Sequence, residues 1–255
     1  MSFDLTGRKA LVTGASRGIG RGIAEAYAAA GADVALLARD EATLREVAEI
    51  VESYGRKAFV LPCDVLDPDS VHTQVAAAVE GLGGLDVLVN NAGGNSFSTA
   101  FSTMRFSGWE KTLRLNLDSV VHATQAASEA LQASGSASVI NMASVAGVTA
   151  VPFMSHYGAA KAALISLTKT LAVEWAWTGA RVNAIVPGWI ETDLTEFLRD
   201  DNGAAAGVEL IKRVPMQRWG TVAEIAEPAV FLASSASSFM TGQVLVVDGG
   251  LTVMP

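Results

Sequence analysis

The chain has 255 residues, half of them hydrophobic and 17% charged, so it can bury a sizeable core and is unlike a disordered protein. Its net charge of −8 disfavours nucleic-acid and anionic-membrane partners, which require a basic surface. Cys63 is the only cysteine and the three histidines are scattered, so neither an intrachain disulfide nor a metal site is expected.

Short β-branched runs alternate with helical patterns along the whole chain. Strands are predicted at 10–13, 34–38, 58–61, 87–90, 139–142, 182–186 and 244–247, and helices near 19–30, 41–54, 69–82, 109–133, 155–177 and 222–234. Continuous apolar runs such as VALLA and VLVV are typical of strands buried on both faces. The pattern predicts one α/β domain, residues 1–255, with a doubly wound, Rossmann-type parallel sheet of about seven strands and helices on both faces.

The N-terminal stretch MSFDLTGRKALVTG does not have the basic and then apolar pattern of a signal peptide. The longest uncharged stretch, from residue 119 towards 161, is interrupted by Glu129 and by Gly, Ser, Asn and Pro, which argues against a membrane span. We therefore expect a cytoplasmic protein.

The first strand is followed by a glycine-rich loop. The sequence LVTGASRGIGRGIA places Gly14, Gly18 and Gly20 between that strand and the first helix. Residues without a Cβ let the backbone approach a pyrophosphate, which the helix N-terminus then binds. A strand-to-helix turn without a ligand is the alternative, but the strand before and the amphipathic helix after favour dinucleotide binding.

Further motifs follow this loop in order. The segments TGASRGIG (13–20), NNAG (90–93), YGAAK (157–161) and PG (187–188), with Asn116 and Ser144, resemble the short-chain dehydrogenase/reductase family over essentially the whole chain. The likeness extends to its 3-oxoacyl-[acyl-carrier-protein] reductase-like members. Extended members of the family, which use Gly-x-x-Gly-x-x-Gly, fit less well.

The helix SHYGAAKAALISLTKTLAVEW places Tyr157 and Lys161 on one face, four residues apart. Reduction of a ketone by hydride requires a proton for the developing alkoxide. A free tyrosine has a pKa of about 10, which is too high for easy proton exchange near neutral pH. An ammonium about 4 Å away would favour the phenolate by about 4 kcal/mol at an effective dielectric of about 20. We therefore expect Lys161 to lower the pKa of Tyr157. A buried tyrosine beside a solvated lysine is the alternative.

The resemblance implies a catalytic role for Asn116, Ser144, Tyr157 and Lys161. In such enzymes the serine orients the substrate carbonyl, the asparagine holds a water that relays protons, and the lysine also binds the nicotinamide ribose. Without the resemblance, Ser144 would be interpreted as a loop residue. Asn116 would be interpreted as the site of a local helix kink, with its side-chain amide hydrogen-bonded to backbone groups.

The resemblance also implies a set of cofactor-binding residues. It contains the glycine loop, two residues after the third strand, the NNAG turn, the catalytic pair and the turn after the sixth strand: Gly14, Ser16, Arg17, Gly18, Ile19, Gly20, Asp64, Val65, Asn91, Ala92, Gly93, Tyr157, Lys161, Pro187, Gly188, Ile190 and Thr192. An aspartate at a strand end, such as Asp64, is often only a turn residue.

The cofactor is predicted to be NADP(H) rather than NAD(H). Enzymes that prefer NAD place a carboxylate after the second strand, where it would repel a 2′-phosphate. Here Ala38 holds that position, and Arg39 and Arg17 can pair with the phosphate. Asp40 could reach the ribose hydroxyls, but the simpler interpretation is that it is the N-cap of the next helix.

The substrate is predicted to be a small apolar carbonyl compound or alcohol. Residues 189–213 contain the Gly/Ala-rich sequence DDNGAAAG, which predicts a lid, with an ordinary surface helix pair as the alternative. The candidate pocket residues are Phe97, Phe153, Met154, Trp189, Leu194 and Phe197. No lysine or arginine lies between Arg114 and Lys161, which argues against an acidic carrier protein. Two alternatives stay open: a 3-oxoacyl-[acyl-carrier-protein] reductase and, more distantly, a non-catalytic dinucleotide sensor.

The resemblance further implies a homotetramer, built from the helices at 109–133 and 155–177 and the C-terminal GQVLVVDGG region. An outward apolar set on the second helix, Leu164, Leu167, Leu171 and Trp175, would supply the contact.

Overall fold

Seven parallel strands form one sheet in the computed structural model, which describes residues 3–199 and 204–254. The strands are β1 Lys9–Thr13, β2 Asp33–Ala38, β3 Ala58–Pro62, β4 Val87–Asn90, β5 Ser138–Met142, β6 Arg181–Pro187 and β7 Val244–Val247. All seven predicted strands are confirmed, each to within one residue at either end.

The sheet order β3-β2-β1-β4-β5-β6-β7 reverses direction at β1. This strand pairs in parallel with β2 on one side, at Thr13↔Leu37, and with β4 on the other, at Val12↔Val89. The connections after β1 and β4 therefore diverge, which opens a crevice at the carboxyl edge of the sheet where ligands of such folds bind.

Eight α-helices flank the sheet in the described residues: α1 Gly18–Ala29, α2 Glu41–Ser53, α3 Pro68–Leu82, α4 Phe106–Leu113, α5 Ser119–Ala133, α6 Ser155–Trp175, α7 Ala204–Ile211 and α8 Ala223–Ala233. Alternate strand residues point to opposite faces, so Val12 packs with α1, α2 and α8 while Leu11 packs with α3, α5 and α6. No helix in the described part of the chain is long and apolar enough to cross a lipid bilayer.

The helix predicted at 109–133 is longer than expected and interrupted. It begins at Phe106, and five residues with π-helical bonding, Arg114–Asp118, join α4 to α5. Extra residues of this kind widen one turn and often mark a functional site. The interruption contains Asn116.

The predicted outward apolar set on α6 is wrong for most of its members. Leu164 is fully buried, and Leu171 and Trp175 pack against the core on the α3–α5 side of the sheet. The helix turns its widest apolar face to the sheet. The large apolar side chains that it exposes are Val173, at 80%, and just beyond its end Trp177, at 83%.

Candidate active site

The glycine loop has the shape that a pyrophosphate requires. Gly14 has φ +65°, and a Cβ there would lie 3.0 Å from Ala92 Cα. A Cβ on Gly20 would lie 2.2 Å from the Gly14 carbonyl oxygen, so only glycine lets the loop fold back on the first turn of α1. Arg17 is at the N-cap, and its guanidinium has no acceptor for the first N–H groups of α1, which leaves them to bind an anion.

The turn after β4 is bonded directly to this loop. Asn91 Nδ2 donates to the carbonyl oxygens of Thr13, at 3.0 Å, and Gly14, at 3.2 Å. Thr13 Oγ1 in return accepts from the backbone N–H of Asn91, at 2.9 Å, and of Ala92, at 3.0 Å. Asn91 therefore holds the two sides of the crevice at a fixed separation, beside the predicted cofactor residues Ala92 and Gly93.

Ser144 lies next to Tyr157 because the turn after β5 packs closely on α6. A Cβ on Gly147 would lie 2.8 Å from the Lys161 carbonyl carbon, and one on Gly158 would lie 2.8 Å from the Ala146 oxygen. The two glycines thus let the backbones approach, and they bring the Ser144 hydroxyl beside the Tyr157 phenol, close enough to influence its pKa.

Lys161 is buried beneath this pair, with 3% of its surface exposed. Its Nζ donates to the Met142 carbonyl oxygen at 2.8 Å and lies 5.7 Å from the centre of the Tyr157 ring. Burial lowers the pKa of Lys161 to about 8, because the charged ammonium is removed from water.

The expected lowering of the Tyr157 pKa is wrong. Burial raises the pKa of Tyr157, and the neighbouring Ser144 hydroxyl opposes that rise only in part. The reason is that the phenolate would lose its hydration, while the Lys161 ammonium is directed at the Met142 carbonyl. The phenol is therefore held in its protonated form.

Asn116 is fully buried in the π-helical segment and joins it to the NNAG turn. Its Nδ2 donates to the carbonyl oxygens of Thr112, at 3.0 Å, and Gly94, at 2.9 Å, and its Oδ1 accepts from Gly94 N–H at 2.9 Å. A Cβ on Gly93 would lie 2.8 Å from Asn116 Oδ1 and 3.3 Å from Lys161 Nζ. Asn116 therefore satisfies local backbone groups, as its alternative interpretation held, and it also borders Lys161.

The far end of the crevice carries Arg39, exposed directly after β2. Asp40 caps α2, accepting from Ala42 N–H at 2.9 Å and Thr43 N–H at 3.2 Å. Cys63 N–H donates to the Ala38 carbonyl oxygen, so the ends of β2 and β3 are adjacent.

The next residues, Asp64 and Val65, follow β3 at this same edge. Asp64 accepts from Leu66 N–H at 3.0 Å, the bond of a turn residue, and its side chain is exposed beside the partly buried Val65. The assignment of both residues to the cofactor-binding set stays a prediction.

The segment after β6 runs back to the glycine loop. Gly188 N–H donates to Val247 O at 3.0 Å, and Ile190 pairs with Gly220. A Cβ on Gly18 would lie 3.5 Å from the Thr192 methyl group. The next residue, Asp193, forms an ion pair with Arg17 at 3.7 Å.

The chain is similar to known proteins over almost its whole length. Residues 14–252 match a family model described as enoyl-(acyl carrier protein) reductase. A gluconate 5-dehydrogenase from Gluconobacter oxydans is 39% identical over 98% of this chain and 97% of its own. A 3-oxoacyl-[acyl-carrier-protein] reductase from Chlamydia pneumoniae is 37% identical over 99% of this chain and 100% of its own.

Among solved structures, a gluconate 5-dehydrogenase from Burkholderia cenocepacia in complex with NADP and tartrate is 38% identical, with a TM-score of 0.93 over 100% of this chain and 98% of the other. The chain is a short-chain dehydrogenase/reductase. It is thus an oxidoreductase acting on CH–OH and C=O groups, and the predicted NADP(H) cofactor agrees with the bound NADP of that relative.

The predicted substrate residues of this dehydrogenase/reductase separate into two groups. Phe153, with φ +67°, is exposed, and so are Leu194 and Phe197 in the lid. By contrast, Phe97 stacks on the His156 ring at 4.2 Å, and Trp189 packs edge-on against a second tryptophan. Met154 is partly buried immediately before α6. The three exposed side chains are therefore available to a substrate, whereas Phe97 and Trp189 pack against other rings.

The predicted lid contains a 3₁₀ helix, Asp193–Leu198, and α7. Residues 200–203 of the predicted lid lie outside the described residues. Within the described ranges, no three His, Cys, Asp or Glu side chains are grouped so that they could hold a metal ion.

Two residues of the site were missed by sequence analysis. One is Asp193, whose pairing with Arg17 joins distant parts of the chain and has no local signal. The other is His156, next to Tyr157, which is fully buried. Neither of its ring nitrogens has a hydrogen-bond partner among the described atoms, and burial lowers its pKa, so the ring is held neutral. Only its position before Tyr157 could have indicated it.

Proposed function

We propose that this enzyme reduces the carbonyl group of an apolar small molecule with NADPH, and that Tyr157 is the proton donor. The observation that carries the proposal is the group of Ser144, Tyr157 and buried Lys161 at the carboxyl edge of the sheet. A non-catalytic dinucleotide-binding module has no use for a buried ammonium that has no carboxylate partner among the described residues.

The bound nicotinamide would supply the hydride. The Tyr157 phenol, kept protonated because burial raises its pKa, donates its proton to the carbonyl oxygen, and the Ser144 hydroxyl donates a hydrogen bond to the same oxygen. The Lys161 ammonium, close to the Tyr157 ring, then returns a proton to the phenolate. A lysine pKa of about 8 suits that transfer near neutral pH. Asn116, beside Lys161, would hold the water that supplies the next proton.

NADP(H) is preferred over NAD(H) in this proposal because of the charges where β2 ends. Ala38 offers no carboxylate to the ribose hydroxyls, and Arg39 is exposed there. Asp40, the competing candidate, is already engaged as the cap of α2. The NADP bound to the Burkholderia cenocepacia relative supports the same choice.

An apolar substrate is supported by the exposed Phe153, Leu194 and Phe197. These side chains offer hydrophobic and aromatic contacts and no cation for a sugar-acid carboxylate. The absence of lysine and arginine from residues 115–160 speaks against docking of an acidic carrier protein.

A homotetramer in the cytoplasm completes the proposal. Exposed Val173 and Trp177 extend an apolar surface at the end of α6, and Phe239 and Val246 are exposed near the edge strand β7. Large exposed apolar surfaces mark interfaces, and an edge strand is a ready pairing site. Light scattering that finds a monomer at micromolar concentration would refute the tetramer.

The test is a substrate panel with purified enzyme, read by the absorbance of reduced nicotinamide. The panel contains apolar cyclic and aryl ketones, a keto sugar acid and a short 3-oxoacyl thioester, each with NADPH and with NADH. The proposal predicts the highest kcat/KM for an apolar ketone with NADPH. It is contradicted by a clear preference for the sugar acid, or by a tenfold or greater preference for NADH. The Tyr157→Phe protein, purified identically, controls for contaminating reductases.

A further inference from the structure

We propose that Asp193 is a determinant of cofactor affinity and preference, because it competes with the 2′-phosphate of NADPH for Arg17. The inference rests on the proposed preference for NADP(H) and on the sequence-based prediction that Arg17 pairs with this phosphate together with Arg39. It assigns a specificity role to a lid residue that contacts neither the reacting atoms nor, in this arrangement, the ribose.

The ion pair joins the two sides of the crevice. Arg17 is the residue before the first turn of α1, and Asp193 is the first residue of the lid's 3₁₀ helix. Their charged atoms lie 3.7 Å apart. The Thr192 methyl group lies beside Gly18, so the residue before Asp193 also contacts the glycine loop.

The pair is weak enough to be exchanged. The Arg17 side chain is 74% exposed and that of Asp193 is 57% exposed, so water and salt screen their attraction. A phosphate monoester carries nearly twice the charge of a carboxylate and accepts two parallel hydrogen bonds from a guanidinium. The phosphate therefore displaces Asp193 from Arg17. The free energy of the broken Arg17–Asp193 ion pair reduces the favourable free energy of NADPH binding.

The cost of this exchange has an upper limit. Exposed ion pairs contribute at most about a fivefold change in an equilibrium constant. NADH has no 2′-phosphate and leaves the pair intact, so Asp193 lowers the affinity for NADPH without changing the affinity for NADH. Removal of the Asp193 charge should therefore increase the NADPH preference of the enzyme.

The experiment measures dissociation constants of NADPH and NADH by equilibrium fluorescence titration at low salt. The variants are Asp193→Asn, Arg17→Ala and the double variant, with Glu196→Gln as the matched control, since Glu196 is an exposed carboxylate on the same 3₁₀ helix. Asp193→Asn should bind NADPH about three- to fivefold more tightly and NADH within twofold of wild type. Glu196→Gln should match wild type, and in the Arg17→Ala background Asp193→Asn should have no effect.

Three results would overturn the role of Asp193 while leaving the proposed function in place. These are unchanged or weaker NADPH binding by Asp193→Asn, equal tightening for NADH, and tightening that persists without Arg17. The last would indicate simple repulsion between Asp193 and the pyrophosphate. A wild-type enzyme that binds NADH but not NADPH would instead overturn the proposed cofactor, and this inference with it.

Discussion

Replacement of Lys161 by methionine should make the protein more stable while it abolishes activity. Methionine keeps the apolar stem and removes the buried ammonium. Burial lowers the pKa of Lys161 from 10.5 to about 8, and that difference corresponds to about 3 kcal/mol of destabilisation of the fold at pH 7. The lost hydrogen bond to the Met142 carbonyl, 2.8 Å long, offsets about 1 kcal/mol. A net gain of about 2 kcal/mol remains, or roughly 4–8 °C in Tm for a chain of this size.

The sign of this gain depends on pH in a defined way. Because the folded-state pKa is the lower one, the unfolded chain binds the extra proton between about pH 8 and 10.5. The advantage of Lys161→Met should therefore be complete below about pH 8 and shrink as the pH rises towards 10.5. Thermal unfolding at pH 7 and pH 9.5 measures it, with exposed Lys169 on the same helix, changed to Met, as the control. A Lys161→Met protein less stable than wild type at pH 7 would refute the reasoning.

Three further predictions follow from the same geometry. The kcat/KM for carbonyl reduction should fall as the pH rises through about 8, because Lys161 loses the proton that it returns to Tyr157, and a profile flat to pH 9.5 would count against that role. The double change Ala38→Asp and Arg39→Leu should reverse the cofactor preference by tenfold or more. It places a carboxylate after β2 and removes a charge-assisted hydrogen bond to the phosphate, which is worth about 1.5–3 kcal/mol. The ratio of kcat/KM for NADPH to that for NADH measures the preference, and an unchanged ratio would contradict the assignment. Because burial lowers the pKa of His156, the fold should lose stability as the pH falls below about 6.5. The Tm of the His156→Leu protein should therefore fall less between pH 7 and pH 5 than the Tm of wild type. Replacement of the exposed His72 by leucine is the control, and that protein should behave like wild type.

The strands could be predicted because their signal is local. Most are short apolar runs, and the five inner strands β1, β2, β4, β5 and β6 are almost wholly buried. All seven were located to within one residue. The π-helical segment at Asn116 could not be predicted from the sequence, because it occurs together with a tertiary contact. The Asn116 side-chain amide bonds to the backbone of Gly94, in the loop after β4 and 22 residues away along the chain.

Sequence supplies the residue types of the candidate site but not its electrostatics. Spacing in the sequence shows that Tyr157 and Lys161 share a helix face. It does not show how far each is removed from water, and that desolvation decides the direction in which the pKa of Tyr157 moves. The same limit applies to α6, where composition indicated an apolar surface but not that Leu164 faces the sheet.

The central claim, that Tyr157 donates the proton, is tested most directly by Tyr157→Phe. The substitution keeps the ring that packs on α6 and removes only the hydroxyl. We expect kcat/KM for carbonyl reduction to fall by about 10²–10⁴-fold, the usual loss for a positioned acid, while the dissociation constant of NADPH stays within about twofold. Tyr54→Phe, which alters an exposed tyrosine at the end of α2, should retain full activity. A Tyr157→Phe enzyme with activity within about threefold of wild type would contradict the account.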